Sequence, residues 1–155
     1  MRRPRWSLLG PSLVIASCLV AIGVAVSLAV TGRDASALPA AIESTNPSRG
    51  ARQVPAQTQV QVDLVDGYTG ILVIDGIELE TVNIESVQTA QPGQQVTLPA
   101  TTIYEPGNAT LTFVPSDAAA ITGFEQGEHV ARVIYWKIID GRETARSFTW
   151  SFEVF

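Results

Sequence analysis

An uninterrupted apolar run near the amino terminus constrains this chain more than any other feature. Residues 8–30 contain no charged side chain and consist mostly of Leu, Val, Ile and Ala. A helix rises about 1.5 Å per residue, so about 20 residues cross a bilayer core of about 30 Å. A helix also satisfies its own backbone hydrogen bonds in lipid. We therefore predict a single transmembrane helix over residues 8–30, which would contact membrane lipid.

The charges on either side of this run predict its direction. Cationic residues beside a span tend to stay in the cytoplasm. The charged residues nearest the run are Arg2, Arg3 and Arg5 before it, and Arg33 and Asp34 after it. We expect a basic cytoplasmic stub over residues 1–7, a linker over residues 31–40, and a domain over residues 41–155 outside the plasma membrane of a bacterial cell.

Two alternatives to a retained anchor stay open. Ala35, Ser36 and Ala37 form a small-x-small sequence of the kind that is cleaved after a signal peptide, which predicts a secreted domain that starts near Leu38. Residues 15–18, Ile-Ala-Ser-Cys, resemble a bacterial lipobox with Cys18 as the lipidated residue. The chain stays apolar up to residue 30, which favours one continuous span with Cys18 as an ordinary helix residue.

The remainder of the chain is acidic and has no cysteine. Residues 38–155 hold 6 cationic and 14 anionic side chains. Nucleic acid requires a basic face, so we exclude it as a partner. Without thiols the domain forms no disulfide and no thiolate zinc site, and it must be stable through its packing.

Two-residue alternation predicts strands in this domain. Apolar side chains alternate with polar ones over residues 59–64 and, without a miss, over residues 146–154. The side chains expected to face inward are Val60, Val62, Leu64, Leu111, Phe113, Phe148, Trp150, Phe152 and Val154. Residues 42–45 predict a first edge strand, and residues 128–139 a long strand.

Turn signals separate these strands. Asp75-Gly76 between apolar runs predicts a two-residue hairpin, because both positions favour positive φ. Turns are also expected over residues 46–50, 91–94, 105–108 and 140–142. Many short strands separated by turns predict an all-β fold, an immunoglobulin-like antiparallel sandwich that follows the transmembrane helix.

Three further predictions concern less regular segments. Residues 116–121 suit one or two helical turns, with Ser116 or Asp117 as the N-cap. Residues 96–98 predict a short strand. Tyr135 and Trp136 point to opposite faces of their strand, and we assign Trp136 to the core.

The order of these pieces resembles the bacterial immunoglobulin-like domains of surface proteins. The resemblance covers about residues 41–155 and rests on Ser-Thr-Asn-Pro-Ser-Arg-Gly-Ala at residues 44–51 and on the long strand, Gly-containing turn and Phe-rich strand of residues 127–155. The periplasmic copper-resistance proteins look similar in the same two places. That family binds copper through histidines, one of them near a final Asp-Gly-His. This chain has Asp140-Gly141-Arg142, so the resemblance implies the fold without the copper ligands.

Few residues are candidates for chemistry. His129 is the only histidine, and it lies in a predicted strand without an obvious partner. Asp75, Glu78 and Glu80 are acidic and close in sequence, but their spacing matches no calcium loop. Asn108-Ala109-Thr110 fits a glycosylation sequon. We predict no catalytic residue, no cofactor-binding residue and no metal ligand, and we expect that the protein is not an enzyme.

Two functions follow from these features. The first is a membrane-anchored extracytoplasmic domain that binds a protein or a cell-wall component, with the irregular residues 81–105 as the contact region. The alternative is a cleaved, secreted or periplasmic carrier for a metal or a small ligand.

Overall fold

Ten strands, one α-helix of a single turn and a short 3₁₀ helix (Arg142–Thr144) build the described part of the domain in this computed structural model, which describes Cys18 and residues 38–87 and 98–155. In chain order the elements are β1 (Ile42–Asn46), β2 (Ala51–Val54), β3 (Val60–Leu64), β4 (Tyr68–Ile74), β5 (Ile77–Glu78), β6 (Thr81–Asn83), α1 (Ile84–Val87), β7 (Thr102–Glu105), β8 (Thr110–Phe113), β9 (Gly127–Lys137) and β10 (Arg146–Val154). One sheet has the order β1-β3-β8-β7-β6, and the other has the order β2-β10-β9-β4-β5. The predicted all-β fold with two sheets is confirmed.

One hydrophobic core lies between the two sheets, which explains why the alternating pattern is so clean. From the first sheet, Val60, Val62 and Leu111 are fully buried, and from the second sheet Trp150 and Phe152 are at most 2% exposed. Each strand therefore turns one face inward and the other to solvent. The predicted inward set is confirmed, with Phe148 at the margin of the core.

Each sheet contains one parallel pair, so the prediction of a purely antiparallel sandwich is wrong in this respect. β2 runs parallel to β10, and β6 runs parallel to β7. A parallel pair requires a long connection. Residues 84–101, which include α1, supply it for β6 and β7. β2 lies beside β10 because the turn after β1 carries the chain from the first sheet to the second.

The predicted hairpin is confirmed at Asp75-Gly76. Ile74 pairs with Ile77 on either side of the turn. Asp75 has a φ of 50° and Gly76 a φ of 83°, as a type I′ turn requires. The predicted edge strand over residues 42–45 is confirmed as β1. The long strand over residues 128–139 is confirmed as β9 up to Lys137, and residues 138 and 139 belong to the following turn.

Two local predictions are wrong. Residues 116–121 form a turn rather than a helix, because the Ser116 N–H donates to the Ile121 carbonyl at 3.3 Å and closes a loop. Trp136 is not in the core. Tyr135 is the buried member of the pair at 5% exposure, since β9 turns its odd-numbered residues inward. The helix α1 had no counterpart among the sequence predictions.

Several predictions fall on residues outside the described ranges. These are the stub over residues 1–7, the span over residues 8–30, most of the linker, the cleavage site at Ala35–Ala37, and the turn and strand over residues 91–97. Cys18 is helical and exposed. Among the described residues, no helix has the length and apolar character to cross a membrane. Leu38–Phe155 forms one compact unit.

Candidate functional site

The imidazole of His129 joins three segments of the domain. Its Nδ1 lies 2.7 Å from Asp75 Oδ2 at the tip of the β4–β5 hairpin, and its Nε2 lies 2.7 Å from the backbone oxygen of Glu125. The second carboxylate oxygen of Asp75 accepts the Val130 N–H at 2.9 Å. The β4–β9 register explains this meeting, because it pairs Ile74 with Ala131 and so brings the hairpin tip beside His129.

This histidine is not arranged for catalysis. An Asp–His pair activates a nucleophile when the second ring nitrogen is free to take its proton. In His129 that nitrogen is already bound to the Glu125 carbonyl. In the described part of the chain, no group of three or more His, Cys, Asp or Glu residues is placed to hold a metal ion.

The electrostatics of His129 favour its charged form. Burial lowers the pKa of the imidazole, but the hydrogen bonds to the Asp75 carboxylate and the Glu125 carbonyl outweigh burial and raise the pKa above its ordinary 6.5. The rings of Phe124 and Phe152 flank the imidazole with centroids at 5.1 Å and 5.7 Å. A cation between aromatic rings gains further stabilisation.

A second feature is a groove of about 470 Å³ between the edges of the two sheets. We call it the Trp136 groove. Its lining residues are Thr69, Gly70, Ile71, Thr81, Asn83, Tyr104, Trp136, Ile138 and Arg142. The Tyr104 hydroxyl crosses between the sheets and donates to the Tyr68 carbonyl at 2.8 Å. Burial raises the pKa of Tyr104, so this hydroxyl stays protonated as a donor.

Two strand edges beside the groove have no partner strand among the described residues, and we call them open edges. Leu72 O accepts the Leu79 N–H at 2.9 Å, so the backbone groups of Leu72 and, two residues earlier, Gly70 point away from β9. β5 pairs only with Val73 and Ile74, so no strand of the described chain covers β4 at Gly70. On the other side, β6 is the last strand of its sheet and, within residues 38–87 and 98–155, pairs with β7 alone.

The Trp136 side chain contacts Arg142. The Arg142 guanidinium lies 5.9 Å from the indole centroid, and its Nη2 lies 3.4 Å from Glu78 Oε1. Arg142 thus makes a cation–π contact and an exposed ion pair.

The structure separates the acidic residues that were considered together as calcium candidates. Asp75 contacts His129, Glu78 contacts Arg142, and the backbone oxygen of Glu80 accepts the Thr102 N–H at 3.1 Å. Within the sequon, Asn108 is exposed in the turn before β8, while the Thr110 hydroxyl donates to Asp63 at 2.8 Å.

Sequence reasoning missed both features of the site. Asp75 and His129 are 54 residues apart, and only the strand register brings them together. The Trp136 groove was missed because Trp136 was assigned to the core. The pairing of β9 with β10 reveals this error. Trp150 of β10 faces inward and pairs with Ala131, so the odd-numbered residues of β9 also face inward and Trp136 faces outward.

Comparisons with known proteins give structural similarities alone. No protein-family model and no curated protein matches the chain. CopC from Methylosinus trichosporium OB3b is 14% identical with a TM-score of 0.42, and the match covers 73% of this chain and 90% of that one. PcoC, a copper resistance protein from Escherichia coli, is 9% identical with a TM-score of 0.44, covering 74% and 98%. Similarity at this level says nothing about what this chain binds, and the resemblance to surface-protein domains stays a prediction.

Proposed function

We propose that this protein is an extracytoplasmic binding domain without catalysis, and that it binds an extended polypeptide segment along the Trp136 groove. The observation that supports this most is the pair of open strand edges, at Gly70 of β4 and along β6, on the two sides of one groove. An unpaired edge offers backbone donors and acceptors to an added strand. Trp136 and Ile138 beside it offer contact for side chains of the bound segment.

Part of this groove belongs to the region that the sequence singled out for contact. Thr81, Asn83 and Tyr104 all come from residues 81–105, although this region contains β6, α1 and β7 rather than irregular chain alone. Irregular connections on a rigid scaffold often carry binding. The β6–β7 pair keeps the groove wall in place.

A peptide library displayed on phage, selected against the full-length protein in lipid nanodiscs, tests this binding mode. Selected peptides should lose affinity for Trp136→Ala and keep it for Arg132→Ala, a matched change on the same outer face of β9. A strand added to an edge bonds through every second residue. Substituting proline along the peptide should therefore weaken binding with a period of two. Peptides that tolerate proline throughout, or that ignore Trp136→Ala, would contradict the proposal.

The anchored form of the protein is part of the same proposal. The apolar run over residues 8–30 supports it, together with the arginines before the run. N-terminal sequencing of the protein from cell membranes provides the test. An intact terminus with detergent-dependent extraction supports the anchor, and a start at Leu38 supports the secreted alternative.

The carrier alternative requires ligands that the described residues do not group together. The Escherichia coli neighbour is a copper resistance protein, but this chain has Arg142 in place of the histidine of the copper-resistance pattern, and His129 has both ring nitrogens engaged. Metal analysis of the purified full-length protein separates the two functions. Stoichiometric copper would favour the carrier over the peptide-binding domain.

A further inference from the structure

The contacts of His129 close one end of the domain as a clasp. The clasp consists of Asp75 on the β4–β5 hairpin, His129 on β9, and Glu125 at the end of residues 114–126, which cross from β8 in one sheet to β9 in the other. We call residues 114–126 the crossing segment. Elsewhere the crossing segment is held by Phe124, which is buried in the core against Phe152, and by two hydrogen bonds with the loop after β2. The Phe124 N–H donates to Ala56 O at 2.9 Å, and Gln57 Nε2 donates to Thr122 O at 3.1 Å.

The clasp requires two protons on the imidazole. Both partners of the ring, the Asp75 carboxylate and the Glu125 carbonyl, offer only oxygen acceptors. A neutral imidazole has one N–H and one lone pair, so it can satisfy one partner and must face the other with its lone pair at 2.7 Å. Only the imidazolium can bond to both partners at these distances.

The surroundings of the ring determine how much the loss of this proton weakens the clasp. The His129 side chain is 13% exposed, so water replaces a lost hydrogen bond poorly. The charged groups that face the ring are Asp75 from the hairpin and Glu125 from the crossing segment, both acidic. From β10 the ring meets only the uncharged Phe152. No cation among these groups competes for the role of the imidazolium.

We propose that the clasp is a pH-sensitive switch: protonated His129 holds the crossing segment and the hairpin tip together, and its deprotonation releases the crossing segment. The Glu125 carbonyl is the partner that is lost, since the neutral ring keeps its Nδ1–H on the stronger, charged acceptor Asp75. Release loosens the Glu125 end of the crossing segment beside a depression of about 340 Å³, whose lining includes Ile121, Glu125 and His129.

The sign of the switch follows from the proton count. Below the pKa of the released form, in which the imidazole still pairs with Asp75, both the closed and the released forms are protonated, and the clasp is at full strength. Between that pKa and the higher pKa of the closed form, which the Glu125 carbonyl raises further, each pH unit weakens the clasp by up to about tenfold. Above that raised pKa its strength is constant again at its lowest value.

The full-length protein is well suited to a direct test because it contains a single histidine. Its imidazole gives one set of NMR signals in detergent micelles, without the need for variants. We expect a single titration with a midpoint above 6.5 and, below the midpoint, two hydrogen-bonded N–H groups. Hydrogen exchange of the crossing segment, corrected for the intrinsic pH dependence of exchange, should accelerate across the same midpoint while β9 and β10 stay protected.

Three variants separate the clasp from general stability. Asp75→Asn keeps the shape of the side chain and should move the midpoint to lower pH. Asp117→Asn is the control. It changes a carboxylate of the crossing segment, but Asp117 is not among the groups that shift the pKa of the ring, so the midpoint should stay unchanged. His129→Gln should show fast exchange of the crossing segment at every pH. A wild-type midpoint at or below 6.5, or protection of the crossing segment that ignores the midpoint, would overturn the switch.

Discussion

Trp150 offers the most direct test of what holds the two sheets together. Its indole is 2% exposed at the centre of the core, and its Nε1–H donates to the Pro47 carbonyl at 3.0 Å. That bond links β10 in one sheet to the turn that follows β1 in the other, 103 residues away in sequence. Trp150→Phe removes the donor and part of the ring, but keeps an aromatic side chain in place.

Two costs add in this variant. The buried Pro47 carbonyl loses the indole N–H that donates to it, and leaving it without a donor costs about 1–3 kcal/mol. The missing part of the indole leaves a cavity worth about 1 kcal/mol, well below the full loss of a Trp side chain. We expect unfolding to become easier by about 2–4 kcal/mol, which lowers the melting temperature of a domain of this size by about 10 °C.

The assay is thermal and urea unfolding of the full-length protein in detergent, followed by circular dichroism of the β structure. Trp136→Phe is the matched control, because it makes the same chemical change on the outer face of β9, where the indole is half-buried and contacts Arg142. We expect less than about 1 kcal/mol for the control. If Trp136→Phe destabilised the domain as much as Trp150→Phe, the assignment of the core to the Trp150 face would be refuted.

Two further predictions concern close packing and acid stability. Gly70→Ala should destabilise by about 1–3 kcal/mol, because a Cβ there would lie 2.6 Å from the backbone oxygen of Ile134, which cannot move away. Gly123→Ala should cost less, since its Cβ would meet the flexible end of Gln57 at 2.8 Å, and equal urea midpoints for the two variants would contradict this reasoning. Burial raises the pKa of the Asp63 carboxyl, but three side-chain hydrogen bonds outweigh burial and hold the pKa below 3.8. The stability that this carboxylate contributes is therefore complete above pH 3.8 and is lost as the pH falls through the lower value, so Asp63→Asn should flatten the acid limb of a stability–pH curve.

The strands of this domain were predictable because they bury one face each. In β3 and β10 the alternation of apolar and polar residues states directly which side meets the core, and the buried positions Val62 and Trp150 agree with it. The hairpin was predictable for a local reason, since Asp75-Gly76 suits a turn that needs positive φ at both positions. None of these inferences requires knowledge of distant residues.

The predictions failed where distant contacts decide the outcome. Residues 116–121 have the composition of a helix start, but they lie in a connection between two sheets, and the bonds across that connection replace helical ones. Trp136 is large and apolar enough for a core, yet the register of β9 had already given the inward positions to its odd-numbered neighbours. Propensity is a weak prior that tertiary contacts override.

The sequence by itself determined that this domain is built from strands, which side chains form its core, and that it manages without disulfides. These properties depend on residue type and on a period of two, which can be read along the chain. Only the tertiary structure decided that Asp75 reaches His129 and that β4 and β6 leave open edges on one groove. Both result from which strands pair and in what register, and those pairings join residues that no local pattern connects.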